Sequence, residues 1–120
     1  MPQNKKKLRS KADKLWYQLL IKPKCEVCGK QATQVHHFFP KGLFGHLRYN
    51  IDNGISLCSS CHFAHHHKGD PRIQQTIIEK RGKKWYNRLN KEKRKSPASY
   101  QTISYYRENI EKLQQLLNEK

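Results

Sequence analysis

Acidic residues are scarce in this chain: 9 Asp and Glu stand against 25 Lys and Arg in 120 residues. The resulting net charge of +16 and pI of 10.0 point to a polyanionic partner, with nucleic acid ahead of a membrane surface. Long apolar runs are missing as well, so no stretch is suited to span a bilayer. Leu15 to Ile21 is too short, and too interrupted by Tyr17 and Gln18, to be the apolar part of a signal peptide. Hydrophobic residues make up only 35% of the chain, which argues against a large self-sufficient core. The length suits one small domain or a small core with appendages. No internal repeat and no Gly/Ser-rich linker divides it.

The residues that can carry chemistry are concentrated. All 4 cysteines and all 7 histidines fall between Cys25 and His67. The cysteines form two C-x-x-C pairs, Cys25 with Cys28 and Cys58 with Cys61. Two intervening residues let both sulfurs of a pair reach one ion, and two such pairs complete the tetrahedron that Zn²⁺ favours. Gly29, directly after Cys28, suits the tight turn of such a knuckle. Two disulfides would be the secretory alternative. Four thiolates leave no open coordination position, so this zinc is structural. Its binding would offset the small core.

The histidines therefore need a separate explanation. His36 and His37 follow the first knuckle, and His62 directly follows Cys61. On a helix His66, four residues beyond His62, shares its face, so the two can aim at one point. His65, three residues from His62, is the rival. His46 and His67 read as bystanders. Asn53 precedes His62 by nine residues. Adjacent residues on a regular strand point to opposite faces, so His36 and His37 can serve one site only if the strand ends or bends there. Pro40 is compatible with that.

In this order, His36-His37, Asn53 and His62 between two cysteine knuckles, the chain resembles the HNH endonucleases over roughly residues 25 to 69. The resemblance implies an α+β fold: a small zinc-stapled ββα-metal core, treble-clef-like, flanked by N-terminal and C-terminal helices. It also implies a hydrolase that cuts phosphodiester bonds of double-stranded DNA with a divalent metal. By the same resemblance His37 is the general base and His36, His62 and His66 ligate the catalytic metal. Asn53 holds the hairpin loop and so orients His37. Many members have Asp at the position of His36 and Asn at that of His62; imidazoles there suit Zn²⁺ or Ni²⁺ as well as Mg²⁺ or Mn²⁺. The alternative is a non-catalytic zinc module that binds nucleic acid, which has no use for His36, His37 and Asn53. The tail from Pro71 to Leu117 resembles that of phage HNH proteins, the NinG-like recombination group among them. The resemblance thus implies a phage or bacterial protein acting in the cytoplasm of the cell or infected host.

The chain divides accordingly into a basic arm and amphipathic helix (1–24), the nuclease core (25–69) and a helical extension (70–120). Residues 1 to 7 read as a disordered basic arm. Leu8, Ala12, Leu15, Trp16, Leu19 and Leu20 give the period of an amphipathic helix ending before Pro23. Ala32 to Phe39 and Gly54 to Leu57 read as the hairpin strands. Between them lies a loop whose Lys41, His46 and Arg48 are candidate phosphate contacts; Lys68 and Arg72 extend that DNA-binding set. Ser59 or Ser60 is expected to cap the helix through His62. Asp70 and Pro71 start another helix, which Gly82 ends; a short helical piece follows around Trp85, Tyr86 and Leu89. Lys91 to Lys95 reads as a charged linker. The last helix is expected from Ser96-Pro97 or Ser99. Its heptad seam of Ile103, Tyr106, Ile110, Leu113 and Leu117 could pair two chains as a homodimer or lie back on the first helix.

Overall fold

Asn4 starts the first helix. Its side-chain oxygen accepts from the N–H groups of Lys6 and Lys7 at 2.9 and 3.4 Å, so α1 runs Lys5–Leu20. Lys5–Lys7 are therefore helical, not part of a loose arm: the asparagine cap carries the helix one turn further than the apolar pattern does. The computed structural model describes residues 4–68, 71–95 and 101–120, with backbone alone for 65–68. Both the expected cap at Asp70 and the start at Ser96 or Ser99 lie outside those residues.

β1 (Gln34–His37) and β2 (Gly54–Leu57) form an antiparallel pair in which His36 faces Ile55 and His37 faces Gly54. β1 is shorter than the sequence suggests. After His37 the chain leaves the ladder, because the main chain of Phe39 bonds the side chain of Asn53 instead of a strand. Strand alternation turns Val35 and His37 toward α1, and turns His36 toward the helix that follows β2.

That helix is α2, Ser59–Lys68. Its cap is Cys58 and not a serine: the Cys58 carbonyl accepts from His62 N–H at 3.0 Å, and Cys58 Sγ accepts from Cys61 N–H at 3.4 Å. α3 (Pro71–Arg81) and α4 (Lys83–Arg94) follow, separated by Gly82, whose φ of 93° suits glycine. Lys91 to Arg94 thus belong to α4 and are no linker; burial of Trp85 and Leu89 holds that helix to its end. α5 spans Ile103–Asn118, starting where Thr102 accepts from Tyr105 N–H at 3.1 Å.

Two apolar clusters flank the hairpin. One joins Ile55, Leu57, Phe38 and Phe39 to Ile73 and Ile77 of α3 and Trp85 and Leu89 of α4. The other joins Ala12, Leu15 and Trp16 of α1 to Tyr106 and Leu113 of α5, with Tyr49 between. Four of the five seam residues, Tyr106, Ile110, Leu113 and Leu117, lie back on α1, while Ile103 is exposed. Arg81 ties α3 to the rest. It donates to both carboxylate oxygens of Glu26 at 2.8 Å and to the carbonyl of Gly54 at 2.9 Å. Among the described residues no helix is long and apolar enough to cross a membrane.

Candidate metal centre and histidine cavity

The four cysteine sulfurs lie within 4.8 Å of one another, and Cys28 and Cys58 Sγ are 3.5 Å apart. All four cysteines are free thiols. A tetrahedron of Zn–S bonds has sulfurs about 3.8 Å apart, so the cluster fits a zinc ion closely. The local chain builds it. Gly29, at φ 81°, closes the first knuckle by donating to the Cys25 carbonyl at 3.0 Å. Val27 N–H points at Cys25 Sγ at 3.4 Å, and the α2 terminus does the same for Cys58. At Cys25 burial raises the thiol pKa, but hydrogen bonds from the backbone of Cys28, Cys58 and Val27 outweigh it and bring the group to about 6. At Cys61 burial and the neighbouring sulfurs push the thiol up. Four sulfurs this close cannot all ionise without a cation among them, which is the charge balance a bound metal supplies. These residues are placed to hold a metal ion, consistent with structural zinc.

Beside this centre lies a cavity of about 490 Å³ lined by Asp13, Trp16, Tyr17, His36, His37, Lys41 and His62, among others. β1 ends at His37, so the two adjacent histidines diverge yet border one space. His36 is buried, and its ring meets that of His62 edge-on with centroids 5.4 Å apart. That spacing lets both imidazoles reach one ion at the ~2.1 Å of a metal–nitrogen bond. The side chains of His65, His66 and Lys68 lie outside the described residues, so the third ligand expected at His66 has no described position.

His37 is held from two sides. Its Nε2 lies 2.9 Å from the carbonyl oxygen of Arg48. A carbonyl only accepts, so Nε2 carries the hydrogen and Nδ1 is the basic nitrogen. Its ring also stacks on Trp16, with centroids 4.2 Å apart and planes 8° from parallel. Burial pulls the imidazole down to about 4; the Arg48 carbonyl opposes this, and the charges of Lys41 and Arg48 reinforce it. The ring is therefore neutral at pH 7, the state a base needs.

Asn53 is fully buried and cross-links the loop: it bonds the main chain of Phe39 in both directions and the Leu47 carbonyl besides. It touches the loop and not the cavity lining. Arg48, read from sequence as a phosphate contact, has another partner. Its guanidinium closes on Asp13 through two bonds of 2.8 and 2.7 Å. Lys41 is exposed at the cavity, and Arg72 is exposed in the first turn of α3. Sequence reasoning missed Asp13, Trp16 and Tyr17 as lining residues. Trp16 stood out only as a member of an apolar stripe, and nothing in its spacing pairs it with His37.

The architecture is that of an α+β protein in which a four-cysteine cluster, placed to hold a metal ion, joins the first knuckle to the start of α2. Residues 25–68 match the family model described as HNH endonuclease, which covers less than half of the chain and neither flanking helical unit. The same comparisons found no matching curated protein and no matching solved structure. Nuclease chemistry is what that family match suggests for the matched segment.

Proposed function

We propose that the protein is a metal-dependent HNH endonuclease that hydrolyses phosphodiester bonds of double-stranded DNA, in a bacterium or a phage-infected cell. One observation carries the reading: His37, held as the Nε2–H tautomer by the Arg48 carbonyl, borders the same cavity as His36, His62 and Lys41. Nδ1 of His37 takes a proton from water. The water oxygen then bonds to phosphorus as the bond to the leaving oxygen breaks, in line. A phosphate drawn in beside Lys41 raises the basicity of His37, because a nearby anion favours the imidazolium. His36 and His62, with His66 as third ligand, would hold a divalent cation such as Mg²⁺ or Mn²⁺. Bound there, the cation supplies the charge that neutralises the phosphorane and the leaving oxygen. Asn53 acts through the loop. Lys41, Lys68 and Arg72 hold the DNA backbone, with residues 25–69 as the nuclease core and 1–24 and 70–120 as flanking units.

The test is plasmid nicking with added divalent metal. His37→Ala should abolish nicking while leaving DNA binding intact. Equal loss of both would make the residue structural, and retained nicking would put the base elsewhere. A non-catalytic zinc module that binds nucleic acid is the competing reading, and the seating of His37 tells against it: binding alone does not call for a half-buried imidazole held in one tautomer by a main-chain carbonyl.

A further inference from the structure

The family match begins at Cys25, yet Asp13, Trp16 and Tyr17 of α1 line the histidine cavity. Their spacing of three and four residues puts them on one face of the helix. We infer that α1 belongs to the active site: Trp16 and Asp13 are positioning residues that fix the ring of His37 for proton transfer. The inference takes its meaning from the nuclease reading above, but its geometric content can be tested without it.

One hydrogen bond does not fix an imidazole. The Nε2–Arg48 contact selects the tautomer but lets the ring swing about the bonded nitrogen. The Trp16 face, 4.2 Å away and nearly parallel, removes that swing. The acceptor also sits on a loop, so its carbonyl is only as well placed as residues 48–50. α1 grips those residues at three points. Arg48 pairs with Asp13 through two short bonds. Tyr49 Oη donates to Asp13 Oδ1 at 2.9 Å. Trp16 Nε1 donates to the Asn50 carbonyl at 3.1 Å. A single helical turn thus holds both the base and the group that orients it.

A helix present only for burial would need Ala12, Leu15 and Leu19, none of which touches this loop through a polar atom in these contacts. A carboxylate bordering a phosphate cavity is also electrostatically unfavourable unless it is neutralised. The bidentate Arg48 pair neutralises Asp13 and, by the same two bonds, anchors the loop. α5 packs on the apolar side of α1 through Tyr106 and Leu113, and neither residue lines the cavity.

The experiment uses the full chain with Trp16→Leu, Trp16→Phe, Asp13→Asn and, as a control in the α1–α5 contact, Leu113→Ala. Nicking is measured under single-turnover conditions and as kcat and KM, and the His37 tautomer is read from imidazole nitrogen NMR shifts. Trp16→Leu should lower kcat roughly 100-fold, as for a misplaced catalytic group. KM for DNA should stay within about twofold, because ground-state binding is untouched. Trp16→Phe, which retains a stacking face, should recover most of the rate. Asp13→Asn should fall between them. The wild-type ring should be a single Nε2–H tautomer that becomes mixed in Trp16→Leu. The inference is overturned if Trp16→Leu keeps both the rate and the tautomer, or if Leu113→Ala lowers kcat equally while folded. Should the wild-type chain nick no DNA with any divalent metal, the nuclease reading fails. The tautomer then decides this inference alone, and a ring indifferent to Trp16→Leu overturns it.

Discussion

The side chain of Asn53 and the main chain of Phe39 hold each other reciprocally: Phe39 N–H donates to Oδ1 at 2.8 Å, and Nδ2 donates to the Phe39 carbonyl at 3.1 Å. Nδ2 also donates to the Leu47 carbonyl at 3.2 Å. Asn53→Ala would strand an N–H and two carbonyls in the interior. Each such group costs about 1–3 kcal/mol, so urea unfolding should register a loss of about 3 kcal/mol or more. Asn53→Asp keeps the size but cannot donate to two carbonyls, and it adds a buried charge, so it should lose at least as much. A loss under about 1 kcal/mol for either, within the range of an ordinary substitution, would mean that the loop does not depend on this residue.

Zinc and fold should be lost together. Cys58 caps α2 and is one of the four cysteines placed to hold a metal ion, and Cys58→Ser separates the two roles. A serine oxygen caps a helix well but is a poor substitute for a thiolate at zinc. The variant should bind less zinc in a colorimetric release assay and unfold at lower temperature. A strong chelator should bring the wild-type protein to the same state. Full stability after complete metal removal would contradict the stapling role of the sulfurs.

Asp13 gives a pH signature. Burial raises its pKa, but the bonds from Arg48 and Tyr49 and the charges of Arg48 and Lys41 together outweigh that and hold it below 3.8. A carboxyl depressed on folding contributes stability that is fully present above its unfolded pKa and is lost as pH falls through the folded value. The stability gap between wild type and Asp13→Asn should therefore be constant from pH 7 to 5 and shrink below pH 4. A gap that widened on acidification would show that the carboxylate is strained and not stabilised by Arg48.

Lys7, Lys11 and Lys14 form an exposed stripe on α1, with no ion pair to any of them among the described residues. By helical phase the stripe continues around from Asp13 and Tyr17, away from the apolar face, so DNA seated at the cavity would meet it. Binding should weaken with salt, and each Lys→Ala change should reduce the slope of log K against log salt by about 0.9. Unchanged slopes for the triple variant would confine the footprint to the core.

The matched core was legible because its ligands repeat at fixed spacings. C-x-x-C pairs, the His-His doublet and the Asn53 to His62 interval are local, and each can be read without a partner. The strand boundary was not, because β1 stops where a distant amide, Asn53, takes over the main chain of Phe39. Nor was the α2 cap, since a sulfur placed to hold metal also accepts from Cys61 N–H. The heptad seam is symmetric information, equally able to serve a second chain or α1, and its packing on α1 through Tyr106 and Leu113 is visible only in three dimensions. Arg48 illustrates the same limit: its charge is plain in the sequence, but not its partner Asp13, 35 residues away.

Gly54 offers the sharpest separation of stability from activity. It sits opposite His37 in the ladder, and a methyl group there would lie 2.5 Å from Leu20 Cδ1 and 3.0 Å from both Trp16 Cζ2 and Val35 Cγ1. Leu20 can swing its terminal methyl aside at little cost. The indole cannot, because its Nε1 is bonded to Asn50 and its face lies on His37. Gly54→Ala should therefore cost about 1–2 kcal/mol of stability, typical of mild overpacking. The same shift of the indole should perturb the His37 ring and lower kcat by at least tenfold, the loss a small misplacement brings. Chemical denaturation and nicking kinetics on one preparation give both numbers. If the rate falls only in proportion to the unfolded fraction, Trp16 packs the core without steering the histidine.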